Sequence, residues 1–220
     1  MATTVNYTSL LADVSNALER GGSLLTDPTV YNQLPRLINA AERALIQDLK
    51  LLGTIEVLVN APTGLATGVS VYPKPDRWRA TVSMNFGTGT DKNDRTPLFP
   101  RSYEYARSYW PNSTTTGVPR YYTDYNLSSW LVVPTPDDDY PWEVLAYMQP
   151  VLLDEENQNN FFTNYCPNAL YYGTLLQAAP FIKDDARIAT WGNAYTKEVS
   201  TLQAQDLQRI MDRGAVRTMV

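Results

Sequence analysis

The sequence predicts an α+β chain that is mainly α: a four-helix bundle made by N- and C-terminal helix pairs, with a β-rich insertion and an extended C-terminal tail. Three observations lead there. Apolar residues recur at three- and four-residue spacing at both ends of the chain. After Gly53 that period gives way to short β-branched runs bounded by Pro and Gly, and it returns at Cys166. The expected segments are 1–53 for the first helix pair, 54–165 for the insertion, 166–213 for the second pair and 214–220 for the tail. Two helix pairs far apart in sequence close one bundle, with the insertion at one end.

Over Tyr7–Arg20, the residues Leu10, Leu11, Val14, Ala17 and Leu18 share a helical face, and Gly21-Gly22 ends it. Asp27-Pro28 opens a second helix with Leu34, Leu37, Ile38, Ala41, Leu45, Leu49 and Leu52 on one side, up to Gly53. Thr54–Val59, Val69–Tyr72 and Trp78–Phe86 read as strands. Residues 87–97 (GTGTDKNDRTP) read as a polar loop, and Ser102–Trp110 as a short helix closed by Pro111. The strongest β pattern is Pro119–Leu127 and Trp130–Pro134 around Ser128-Ser129, followed across Asp137-Asp138-Asp139 by Trp142–Met148. It predicts a three-stranded meander with aromatic cross-strand partners, about 30 residues long and too small to stand alone. Asn168–Ile182 is apolar nearly all round, as a central buried helix is. Asp184-Asp185 sits where a last helix begins, and carboxylates suit that end of the dipole. Ile188, Trp191, Tyr195, Val199 and Leu202 form its inner stripe, and Gly214 ends it.

Composition narrows the function. The 220 residues include 18 basic and 23 acidic side chains, one Cys and no His. Without His there is no Ser-His-Asp or Cys-His catalysis and no imidazole metal ligand. One Cys makes neither an internal disulfide nor a Cys-based zinc site. A net charge of −5 does not suit a protein that holds nucleic acid through phosphates. The N-terminus (MATTVNYTSLLADV) lacks the basic and apolar regions of a signal peptide, and no apolar stretch approaches a membrane span. No leader and no membrane partner are expected.

The charge is unevenly placed. No basic residue lies between Arg120 and Lys183, whereas Asp124, Asp137, Asp138, Asp139, Glu143, Asp154, Glu155 and Glu156 do. Two readings fit: solvated acidic turns, or an acidic surface that repels polyanions or binds cations.

Candidate chemistry is sparse. Asp137-Asp138-Asp139 makes a strong local field, but consecutive side chains diverge, and a solvated turn is the plainer reading. Asp154-Glu155-Glu156 contains carboxylates such as a glycosidase needs, but adjacency in a polar run more often caps a helix, here Asn157–Phe162. Asp91-Lys92-Asn93-Asp94 lacks the glycine and glutamate of a calcium loop. Cys166 reads as a structural thiol. Trp78, Trp110, Tyr121, Tyr122, Tyr125, Trp130, Tyr140, Trp142 and Tyr147 gather in the insertion, where they fill a core or serve an interface. No phosphate loop, dinucleotide fingerprint or nucleophile elbow is present, so neither catalysis nor a cofactor is expected.

Val118-Pro119-Arg120-Tyr121-Tyr122, Trp130-Leu131-Val132-Val133-Pro134-Thr135-Pro136-Asp137 and Tyr140 resemble a passage in head-to-tail adaptor (connector) proteins of tailed bacteriophages. So do Arg101-Ser102-Tyr103-Glu104-Tyr105, Tyr109-Trp110-Pro111, Asn168-Ala169-Leu170-Tyr171-Tyr172-Gly173 and the run Leu176, Ala178, Ala179, Phe181, Lys183, Asp184, Asp185. The resemblance covers about Leu34 to Leu202 and leans to short-tailed phages. It implies a virion protein at the head-tail junction: a homo-oligomeric ring, typically of twelve copies, below the portal protein. Portal, tail or nozzle proteins would be its partners, and genomic DNA would pass without specific binding. Under that reading Asp137, Asp138, Asp139, Asp154, Glu155 and Glu156 are expected to line the DNA channel, where carboxylates repel phosphates. Ala215, Val216, Arg217, Thr218, Met219 and Val220 are expected to form a partner-binding tail. The alternative is a carbohydrate-binding or hydrolytic accessory protein that uses the insertion's aromatics and carboxylates.

Overall fold

A computed structural model describes residues 5–18, 32–49, 54–60, 63–182 and 186–214. The chain divides into two compact units, one comprising Met1–Thr54 with Pro150–Val220, the other Ile55–Gln149.

In the first unit, α1 (Tyr7–Ala17) starts at a reciprocal cap. The Asn6 side chain accepts from the Ser9 N–H at 2.8 Å, and the Asn6 N–H donates to Ser9 Oγ at 2.9 Å. Helix α2 (Leu34–Asp48) has Pro35 in its first turn and buries Leu34, Leu37, Ile38, Ala41, Leu45 and Ile46. A five-residue helix, Phe161–Tyr165, is capped by Asn160 and leads into α5 (Pro167–Ile182), then α6 (Arg187–Gly214). The five-residue helix is α4. Helix α5 buries Ala169, Leu170, Leu175 and Ala178, and α1, α2, α4 and α6 all pack chiefly against it. Gly173 permits this: a Cβ there would lie 3.2 Å from the Tyr195 ring and 3.5 Å from Ala41 Cβ.

The second unit holds seven strands: β1 (Ile55–Val59), β2 (Val71–Pro73), β3 (Trp78–Thr88), β4 (Asp94–Pro100), β5 (Tyr121–Asn126), β6 (Ser129–Val133) and β7 (Trp142–Met148), with α3 (Tyr103–Tyr109) between β4 and β5. They form one mixed sheet in the order β1-β7-β3-β4-β5-β6-β2. Only β4–β5 is parallel, through Phe99↔Tyr121 and Pro100↔Tyr122. The inward faces meet. Trp130 on β6 and Trp142 on β7 touch edge-on with centroids 5.5 Å apart, and Tyr72 on β2 lies 5.2 Å from Trp142. Three strands separate β6 from β7 in the order, so the sheet curls on itself to enclose Met84, Phe86, Leu98, Val132 and Val144 as well. Strand β7 alternates strictly between buried and half-buried residues. Strand β6 is buried on both faces, because α3 covers Leu131 and Val133 from outside through Ala106.

These facts correct the expected fold. The chain is α+β, with a seven-stranded mixed sheet and, among the described residues, six helices; it is not mainly a four-helix bundle. Its longer helices converge on α5, and nearly half the chain builds a β core of its own. The meander is corrected as well. Strands β5 and β6 make the hairpin, but β7 leaves it and inserts between β1 and β3 (Val57↔Leu145, Met84↔Val144). The polar segment 87–97 is the β3–β4 hairpin, with Thr88 opposite Asp94 and Met84 opposite Leu98. Its turn uses positive φ at Gly89 (82°) and Lys92 (54°). At Gly87 a Cβ would lie 2.2 Å from the Lys92 carbonyl oxygen. The expected stops at Gly21-Gly22 and Gly53 and the start signals at Asp27-Pro28 and Asp184-Asp185 lie outside the described residues.

Candidate functional site

Loops and exposed faces carry the candidate residues. The turn Asp137–Asp139 is exposed, but each carboxylate is engaged. Asp137 Oδ1 accepts from the Tyr140 hydroxyl at 2.7 Å, and Asp139 Oδ1 accepts from the Thr67 N–H (2.8 Å) and hydroxyl (3.1 Å). Lys92, from the β3–β4 turn, pairs with Asp138 at 2.8 Å and also donates to the Asp139 carbonyl. The Lys92 ammonium holds the Asp138 carboxyl below the usual carboxylate range. Burial, then the Asp137 carboxylate, push the Tyr140 hydroxyl up to about 12. The three carboxylates point to three different partners and share no focus for a cation. Among the described residues no group of three His, Cys, Asp or Glu side chains is placed to hold a metal ion.

The long stretch without basic residues is filled in space from earlier strands. Lys74 pairs with Asp124 (3.0 Å), Lys92 with Asp138, and Arg95 with Glu143 (3.7 Å). Asp154, Glu155 and Glu156 lie in the other unit and outside those pairs. Asp154 Oδ1 accepts from the backbone N–H groups of Glu156 (2.9 Å) and Asn157 (2.6 Å), while Glu155 and Glu156 are exposed. The run closes a turn and does not cap a helix: the next helix begins at Phe161, on the Asn160 side chain.

Two acids are buried in that unit among the described residues, Asp206 on α6 and Glu42. Glu42 sits on the apolar face of α2 and accepts from the Leu153 N–H at 3.1 Å and from the Asn160 amide. Burial pushes its carboxyl up to about 6. The signal was present in the sequence: position 42 falls at i+4 from Ile38 and i−3 from Leu45, inside the apolar stripe.

The aromatics divide into two sets. Tyr72, Tyr122, Trp130 and Trp142 are buried in the β core, with Trp78 and Tyr140 half-buried against it. The other set is an outer surface on α3 and β5. Tyr103, Tyr105, Tyr109 and Tyr125 are 37–42% exposed there, beside half-buried Tyr121 and Trp110. Tyr105 and Tyr109 stack with planes 4° apart and meet Tyr121 edge-on at 5.4 and 5.0 Å. The Arg101 guanidinium lies 5.4 Å from the Tyr105 ring and that of Arg107 5.4 Å from the Tyr103 ring. Tyr and Arg together are the residues that dominate binding energy at protein interfaces.

A cleft of about 460 Å³ lies between Asn60, Gly64, Leu65 and the Asp139–Pro141 segment. Its one lining carboxylate, Asp139, is half of the pair that glycoside hydrolysis needs, and the buried tryptophans offer no sugar platform. Cys166 is buried, and burial pushes its thiol up to about 12. Residues 215–220 lie outside the described residues. Among those described, no helix is long and apolar enough to cross a membrane.

The family whose model matches is the SU10 adaptor protein, over residues 5–218. A search of curated proteins found no match.

Proposed function

We propose a particular place in the virion for this chain, which belongs to the SU10 adaptor protein family and is a phage adaptor. Twelve copies form a ring beneath the portal protein, at the head-tail junction of a short-tailed phage. The ring joins the capsid vertex to tail or nozzle proteins and lets genomic DNA pass. The observation that carries this reading is the family match from residue 5 to residue 218, which takes in both compact units. The protein works as a structural part and not as an enzyme.

The Asp137–Asp139 turn lines the channel. Lys92 offsets one of its three charges, and the remaining two, repeated around a ring, repel phosphates and keep DNA from sticking. The tail, Ala215–Val220, engages a portal or tail component. Native mass spectrometry and electron microscopy of the full chain, alone and with portal protein, test this role. Twelve-membered rings with the 137–139 turn on the inner wall are expected. A chain that stays monomeric in both settings overturns the ring, and a ring with that turn on its outer rim overturns the lining.

A further inference from the structure

The α3–β5 surface is rigid, aromatic and positively charged. Its tyrosines hold one another by stacked and edge-on contacts, so little side-chain freedom is left to lose on binding. Arg101 and Arg107 lie outside the four ion pairs among the described residues. The acid on α3 is Glu104, and the nearby Asp124 is held by Lys74, so the two guanidiniums leave the surface net positive. Phe99, 54% exposed on β4, adds apolar area.

We infer that this surface receives the Val151–Glu156 segment of a second copy of the chain, an inference that rests on the ring reading. Charge complementarity favours that segment, where two adjacent carboxylates, Glu155 and Glu156, are exposed and lie outside the four ion pairs. Of the acids between residues 121 and 182, Asp124, Asp138 and Glu143 already meet bases, and the Asp154 carboxylate turns back onto its own loop. Glu155 and Glu156 are exposed, outside those ion pairs, and presented on a turn fixed by Asp154 and Asn157. Val151, 52% exposed, gives the same segment an apolar end. The two surfaces differ from each other, so the contact is heterologous, the head-to-tail kind of contact from which a ring is built. Glu155 and Glu156 therefore face a neighbouring subunit, and the Asp137–Asp139 turn is left to the channel.

The test uses two full-length variants, R101A/R107A and E155A/E156A, whose altered residues lie on the surface and whose folding is checked by circular dichroism. Each alone is expected to need on the order of tenfold more protein for half-assembly than the wild type, read by sedimentation with and without portal. Mixed together they are expected to stop at heterodimers, because each such pair offers one competent contact. Wild-type rings with both variants assembling normally overturn the contact and leave the ring reading standing, as does loss of portal binding with self-association intact. If the wild type never forms rings, the ring reading fails. The contact is then read by titrating a synthetic peptide of residues 150–160 onto the full chain. Binding that R101A/R107A abolishes sustains it, and no binding overturns it.

Discussion

Lys74 and Asp124 form an ion pair of 3.0 Å in which the lysine side chain is 2% exposed and the aspartate 58%. The ammonium also donates to the Asn126 carbonyl at 2.8 Å and lies 3.7 Å from the centre of the Trp78 ring. A cation is thus stored at the edge of an aromatic core, with its counter-ion half in water. Lys74→Ala removes the donor to the Asn126 carbonyl and uncovers Trp78, while the exposed Asp124 carboxylate returns to water, so it is expected to cost about 1–2 kcal/mol of stability. Lys74→Met keeps the volume and is expected to cost less. Urea unfolding followed by tryptophan fluorescence measures both, and equal losses would contradict the account.

Glu42 makes stability depend on pH. Folded, its carboxyl titrates near 6, above its ordinary 4.5, so the folded chain holds the extra proton between those values. Stability therefore falls as pH rises from 4.5 to 6 and is flat above; Glu42 accounts for about 2 kcal/mol of that fall. The difference between wild-type and Glu42→Gln melting temperatures, followed from pH 4 to 7.5, is expected to change over that interval alone.

Trp130 and Trp142 touch each other but differ in one bond. The Trp130 indole donates to Thr81 Oγ1 at 3.0 Å, whereas the buried Trp142 indole N–H meets no acceptor among the described residues. Trp130→Phe is expected to be less stable than Trp142→Phe by about 1 kcal/mol, the worth of a typical hydrogen bond. Matched denaturant curves decide the order, and the reverse order refutes it.

Cys166 is expected to resist labelling. With its thiol buried and pushed up to about 12, the native chain at pH 8 should react with a thiol reagent far more slowly than the chain in denaturant. Rapid labelling without denaturant would place the thiol at the surface.

Local pattern was legible in the sequence; long-range partnership was not. The stripes of α1, α2 and α6 and the all-round apolarity of α5 follow from spacing. That apolarity predicts a central helix, and the others do pack chiefly against α5; what spacing hides is that they make no four-helix bundle, because a fully apolar helix fits a bundle as well as a hub. Strand β4 buries little beyond Leu98, so DKNDRTPLF carries no alternation that marks a strand. The acidic zone is basic-free only along the chain: its bases, Lys74, Lys92 and Arg95, are brought to it by the folding of the sheet from far upstream. The tyrosines of α3 lie at helical spacing, which identifies the helix but does not say that its ring-bearing side faces outward.

The strand order has a consequence for how the protein is made. Strand β7 is the last of the sheet to leave the ribosome, yet it sits between β1, the first, and β3. Until residues 142–148 emerge, β1 has no partner strand and the indole of Trp142 is missing from the core. The β unit therefore cannot mature strand by strand during synthesis. It closes in one late, long-range step, and a nascent chain stalled before Trp142 exposes the edges of β1 and β3 to aggregation.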